Sequence, residues 1–208
     1  MASGNVDARD RQWFIVARWQ QYEGESRANL LRIVAVGAFY LIQLIQYYWL
    51  EPRTAATERF HTAATLLAVA WILLSVAVML CLRRRIFPAA LKYVSTLCDL
   101  VLLTALVSTF TEDKAKSPLV LAYFLIIAVA GLRFSLPLVW FTTLGAMLGY
   151  VYLVGQTDDA WFDGSHAVPV VQQLVTLLSL GLAGVLLGQI LRRVRSLADD
   201  YAKRLKKP

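Results

Sequence analysis

Asp99 interrupts an otherwise apolar stretch, and its type and position invite chemistry more than any other residue of the chain. An ionised carboxylate at the centre of a membrane helix costs about 2.5 to 3.5 kcal/mol on insertion scales, so it must face a bundle interior and find a partner there. Ser95 and Thr96 lie about one turn before it and can satisfy its oxygens, while Arg133, in a later apolar stretch, is the nearest cation by depth. Asp99 and Arg133 therefore read either as a proton or cation site, a polar switch, or as a hydrogen-bonded clasp between helices. The clasp is the preferred reading, because a carboxylate with no second ionisable group nearer mid-membrane makes a poor relay.

Gln43 and Gln46 fall on one face of the first apolar stretch and, with Tyr47, Gln172 and Gln173, can line a polar cavity at the outer end of a bundle. Polar residues of this type also bridge helices without binding a ligand. His61 and His166 stand apart and supply no metal-ligand pair and no Ser/His/Asp set. The sequence holds no GxxxxGK[ST] or GxGxxG phosphate loop. Cys81 and Cys98 lie in or beside apolar runs and lack the spacing of a metal site or a disulfide framework. No catalytic residue, metal or cofactor is expected, and the chain is not read as an enzyme.

The elements that position these residues follow from composition. The chain has 208 residues, 58% of them hydrophobic and 17% charged, and its mean hydropathy is +0.56. A globule of this size cannot hide so much apolar surface, whereas a bilayer can. About 20 mainly apolar residues cross the hydrocarbon layer. Six stretches qualify: 30–50, 62–82, 91–111, 118–134, 136–155 and 167–191. Pro137 separates the fourth from the fifth and predicts a tight helical hairpin there. The expected fold class is all-α: a polytopic membrane protein of six transmembrane helices.

Charge sets the orientation. Seventeen of the 21 lysines and arginines fall on one side of this threading, which places both termini in the cytoplasm, for a bacterial inner membrane. The net charge of +7 is thereby absorbed by membrane topology, and no basic face remains for nucleic acid. Residues 1–29 lack a signal-peptide pattern and are read as a cytoplasmic interfacial helix, with residues 23–25 as a turn into the first span. Residues 30–191 form the membrane domain, and 192–208 a basic cytoplasmic helix continuing the last span. Trp49, Trp71, Trp140 and Trp161 read as interfacial anchors.

Small residues mark close helix approaches: Gly145 with Gly149, and Gly184 with Gly188, both at GxxxG spacing, and both equally suited to packing within the chain or across a dimer. Leu187, Ile190, Val194, Leu197 and Tyr201 recur at 3 and 4, the spacing of a two-helix seam, which points to a homodimer or a short coiled coil. Lipid head groups around the same helix are the plainer reading of its basic residues.

The stretch 123–154 (YFLIIAVAGLRFSLPLVWFTTLGAMLGYVYLV) and the tail GQILRRVRSLADDYAKRL resemble the six-helix membrane modules that precede bacterial class III adenylate cyclases and sensor kinases. That resemblance implies a membrane sensor or anchor read by a cytoplasmic effector; no effector domain follows in this sequence. The expected function is accordingly a sensor, anchor or scaffold module acting through its C-terminal helix. A small transporter or channel built on Asp99 and the glutamines is the first alternative, and a structural subunit of a larger membrane complex the second.

Overall fold

The computed structural model describes residues 3–50, 52, 54–84, 88, 90–109, 117–157 and 169–204, with side chains described between 22 and 198. Among them every regular element is helical. The order is α1 (Ser3–Ile45), a π turn (Gln46–Leu50), α2 (Ala55–Arg83), α3 (Leu91–Ser108), a 3₁₀ turn (Pro118–Leu121), α4 (Ala122–Leu132), α5 (Leu136–Thr157) and α6 (Val170–Arg204).

Local chemistry sets the boundaries. Thr54 and Thr57 form a reciprocal capping box that starts α2. The hydroxyl of Ser117 accepts from the Leu119 amide, and Pro118 opens the 3₁₀ turn without spending a needed donor. Pro137 sits in the first turn of α5, where its missing N–H costs nothing. Between α4 and α5, Phe134 adopts φ 48°, and its N–H donates to Gly131 O at 3.0 Å. This is a left-handed helix stop made without glycine, and it turns the chain back within three residues.

Five helices are long and apolar enough to cross a membrane: Tyr22–Leu50, Ala55–Arg83, Leu91–Ser108, Leu136–Gln156 and Val170–Ala198, while Pro118–Leu132 is a shorter apolar helix. The expected fourth span, 118–134, is thus four 3₁₀ residues followed by eleven α-helical ones. At about 2.0 and 1.5 Å per residue these reach ~24 Å, short of the roughly 30 Å hydrocarbon layer. The surface is that of a multi-pass membrane protein: Leu66, Leu178 and Leu186 are each more than 60% exposed.

Side-chain contacts run the segments up and down. Asn29, early in the apolar part of α1 (Tyr22–Leu50), meets Ser75 late in α2, whereas Tyr40 meets Thr65 and Gln43 meets His61 at the other end. Thr104 of α3 bonds Tyr123 at the start of α4, and Lys92 at the start of α3 reaches Ser135 before α5. Residues 25, 92, 133 and 195 therefore mark one end, called here the charged end.

Glycine lets α3, α5 and α6 close on one another. A Cβ on Gly145 would stand 2.5 Å from Leu100 Cδ1, one on Gly149 2.8 Å from the Tyr123 hydroxyl, and one on Gly184 2.2 Å from Thr143 Oγ1. Gly188 faces Leu136 at 3.3 Å. All four glycines thus lie against side chains of neighbouring helices of the same chain. Around them the core gathers Leu100, Leu103, Tyr123, Ile127, Ala146, Tyr150 and Leu180. Thr142 and Thr143 sit buried in it by donating back to Leu138 O and Val139 O.

Three expectations are corrected. Residues 23–25 are not a turn: α1 runs through them unbroken, and Gly24 lies where α1 presses on the backbone of Leu132 and Arg133. Trp71 is no interfacial anchor but a buried residue at 9% exposure. Leu187 does not belong to an outward seam, since it packs onto Gly131. The remainder of that stripe, Ile190, Val194 and Leu197, is exposed on a helix that continues without interruption to Arg204, and the side chain of Tyr201 lies outside the described residues. The backbone of 10–22 is helical as part of α1, its side chains up to 21 lying outside the described ones; so do residues 158–168, with Trp161 and His166.

Candidate functional site: a buried charge junction and the cavity beside it

Asp99 is 8% exposed on the inward face of α3 and its carboxylate is fully engaged. Arg32 of α1 donates from Nε to Oδ1 at 2.8 Å and from Nη2 to Oδ2 at 2.7 Å. Trp71 of α2 donates its indole N–H to Oδ1 at 3.0 Å. Arg32 is itself fixed by Nη1 donating to Asn29 Oδ1 at 2.9 Å, while Asn29 donates to Ser75 O at 3.1 Å. A fork-to-fork guanidinium–carboxylate pair is the strong form of such contacts, and here it ties α1, α2 and α3 together.

Arg133 is therefore not the partner of Asp99. It turns to Glu25 of α1, Nη2 to Oε2 at 3.2 Å, and this pair is as buried as the first. Nη1 donates to Lys92 O at 2.9 Å and to the Thr96 hydroxyl, and Nη2 to Ser95 Oγ at 3.1 Å. Ser95 and Thr96 thus serve the arginine of the α4–α5 turn, not the carboxylate one turn further on. Their location beside Asp99 links the two pairs through one turn of α3. Glu25, hidden at 7% exposure, is a second buried acid that a reading of 23–25 as a turn does not anticipate.

The two pairs are unequal. Glu25 Oε2 has no hydrogen bond of proper geometry and neither has Arg133 Nε, among the described residues, whereas both oxygens of Asp99 are bonded. Half-satisfied buried polar groups are the weak members of a network, so the α1–α4 contact is the looser of the two clasps.

The turn that carries Arg133 also receives α6. Arg195, beyond the apolar part of α6, donates to the carbonyl of Phe134. The three residues Arg133, Phe134 and Ser135 consequently touch α1, α3 and α6: through Glu25, through Thr96, Ser95 and Lys92, and through Arg195.

A cavity of about 500 Å³ opens beside this junction, walled by α1 to α4. Arg32, Trp71, Thr96 and Asp99 close it at the charged end; Gln43 and Gln46 line it toward the other. Gln43 is shared with His61, which stacks on Tyr47 at 4.0 Å between centroids, and Gln46 starts the π turn, a helix irregularity often met at functional positions. Gln172 and Gln173 lie on α6, away from this lining. Among the described residues no three His, Cys, Asp or Glu side chains gather as a metal site, and Cys81 and Cys98 are free thiols.

Arg32 and Glu25 were legible in principle. Asn29, Arg32 and Glu25 share one face of α1 at spacings of three and four, the pattern of an inward polar stripe. No family model, no curated protein and no solved structure matches this chain.

Proposed function

We propose that the chain is a membrane signalling or anchoring module in which the state of the helix bundle is passed to α6. Six crossings with both termini on the positively charged, cytoplasmic side of a bacterial inner membrane fit the charge distribution and the alternating helix directions. The short α4 crosses with its charged end drawn inward by Arg133. The observation that carries the reading is the α4–α5 turn. Its Arg133 side chain is held by α1 and α3, and its Phe134 carbonyl is held by α6. Any separation of α1 from α4 must disturb Glu25–Arg133 and, through a three-residue turn, the seat of Arg195. The likeness to modules in front of cyclases and kinases supports the same reading, with an effector and a second copy of the chain as partners at the α6 extension.

The test is a fusion of a dimerisation-dependent reporter after Pro208. Arg133→Ala and Asp99→Asn should change reporter output at equal membrane insertion, as should removal of the Arg195 side chain. Output indifferent to all three would remove the proposal.

A transport reading is favoured by one observation, the presence of Asp99, Gln43 and Gln46 on a single cavity. It requires proton- or cation-dependent flux in proteoliposomes that Asp99→Asn abolishes, and a wild-type protein without flux disposes of it. A purely structural subunit would instead co-purify with other membrane chains in fixed ratio.

A further inference from the structure

The cavity has the size of a ligand site, since pockets for small molecules run from about 300 to 1,000 Å³, and its chemistry narrows what can fill it. Its walls are apolar: Val36 of α1, Ala64 and Ala68 of α2, Leu103 of α3 and Val129 of α4. Leu31, Phe39, Ile42 and Leu125 belong both to this lining and to the exposed apolar surface, so the cavity opens sideways between α1 and α4 onto the face that meets lipid. Water is the wrong occupant for the apolar stretch between the polar ends, because buried water needs several polar partners. An apolar chain entering from the bilayer is the right one.

The closed end specifies the head. A guanidinium has five N–H groups, and among the described residues the bonds of Arg32 employ three, to Asp99 twice and to Asn29 once. Two donors remain on a side chain that lines the cavity. Of the roughly four acceptor sites of the Asp99 carboxylate, Arg32 takes two and Trp71 a third, which leaves one on Oδ2. With two donors open against one acceptor, a head that accepts hydrogen bonds is better served than one that only donates. An anion is not served: Asp99 cancels the charge of Arg32, so the desolvation of a carboxylate or phosphate would go unrepaid.

We propose that this cavity binds a neutral amphiphile, an apolar chain ending in a carbonyl-type oxygen, taken from the bilayer between α1 and α4 with its oxygen at Arg32. Binding itself does not depend on the relay through α6; only its role as the input of that relay rests on the proposed function. Occupancy wedges the side of α1 that faces α4, where the weaker Glu25–Arg133 clasp lies.

The test uses the full chain in phosphatidylcholine nanodiscs with a diazirine-bearing palmitic acid methyl ester as the probe. Label should fall on the α1 and α4 peptides. Unlabelled methyl palmitate should displace it at least about tenfold better than hexadecane or palmitate, the contribution of one hydrogen bond from a charged donor. Ala68→Phe and Val129→Phe, filling the cavity from opposite walls, should each lower site labelling about tenfold or more at the affinity ratio expected for a blocked pocket. Gly37→Leu, at a position with nothing within 4 Å, should leave it unchanged. Equal competition by hexadecane would mean a bilayer chain only, better competition by palmitate would mean an anion site, and undiminished labelling of both filled variants would place the probe elsewhere; each overturns the proposal. Reporter output unaffected by ester in a protein that binds it would instead count against the relay alone.

Discussion

Arg32 and Asp99, 67 positions apart in the chain, meet side by side as a two-point ion pair in the interior of the helix bundle. Neither belongs in an apolar environment by itself. Together they exchange two costly desolvations for two charge-assisted hydrogen bonds, with Trp71 and Asn29 completing the set. The consequence is that each residue is dispensable only with the other.

A double-mutant cycle reads that dependence. Asp99→Leu leaves Arg32 buried without a counter-charge and should cost about 3 to 5 kcal/mol. Arg32→Met should cost a similar amount by stranding Asp99. The pair Arg32→Met with Asp99→Leu should recover most of the loss. Reversible unfolding in mixed detergent micelles measures all three, and additive losses would show that the contact is not energetically coupled.

The glycines make a second, steric set of predictions. Gly184→Ala puts a methyl 2.2 Å from Thr143 Oγ1, and Gly145→Ala one 2.5 Å from Leu100 Cδ1. Each should destabilise by about 1 to 3 kcal/mol through overpacking, Gly184 the more because Thr143 is itself tied to Val139 O. Gly37→Ala meets nothing and should be neutral or gain up to about 1 kcal/mol of helix propensity. Thermal unfolding of the three variants side by side decides it.

Gly24 predicts a local failure. Its Cβ position lies 3.3 Å from Leu132 O and 3.4 Å from Arg133 Cα, both backbone. Ala should be accommodated by a small shift, whereas Val should push α1 away from the turn and weaken Glu25–Arg133. Hydrogen exchange should then rise about tenfold or more at Phe134 and Ser135, the result expected if about 1.4 kcal/mol of local protection is lost. The amides of α5 near Gly149 should not respond.

Threading through the membrane gives a fourth prediction. In a cysteine-free background, single cysteines at Arg84 and Ala198 should react with an impermeant maleimide only after the cells are opened, and one at Thr54 should react in intact cells. Labelling of Arg84 from outside would reverse the orientation proposed here.

Much of this arrangement is readable from the sequence, and the unreadable part has a physical cause. Asp99 announces itself because one carboxylate in an apolar run must be buried, and the extension of α6 past its apolar part follows from residues 192–204, which contain no glycine or proline. Gly145, Gly149, Gly184 and Gly188 carry their packing role in their spacing. Partner choice is different: Arg32 stands near the edge of its apolar run and reads as a topology signal, and only the tertiary approach of α1 to α3 makes it the ligand of Asp99. Gly24 misleads in the opposite direction. Its low helix propensity suggests a turn, but it stands inside a helix that continues, at a close approach to the α4–α5 backbone that favours a small residue. The cavity is invisible in the sequence, since four helices contribute its walls.

The central claim is that the charge junction holds α6 in place. Its most direct test is a pulsed electron spin resonance distance between labels at Ser26, on the exposed side of α1, and Leu197, exposed on α6, with Cys81 and Cys98 replaced by alanine. The wild-type protein in nanodiscs should give one narrow distance distribution. Arg133→Ala should shift or broaden it, and Leu66→Ala on the lipid-facing surface should not. A distribution that stays narrow and unmoved when Arg133 loses its side chain would contradict the account.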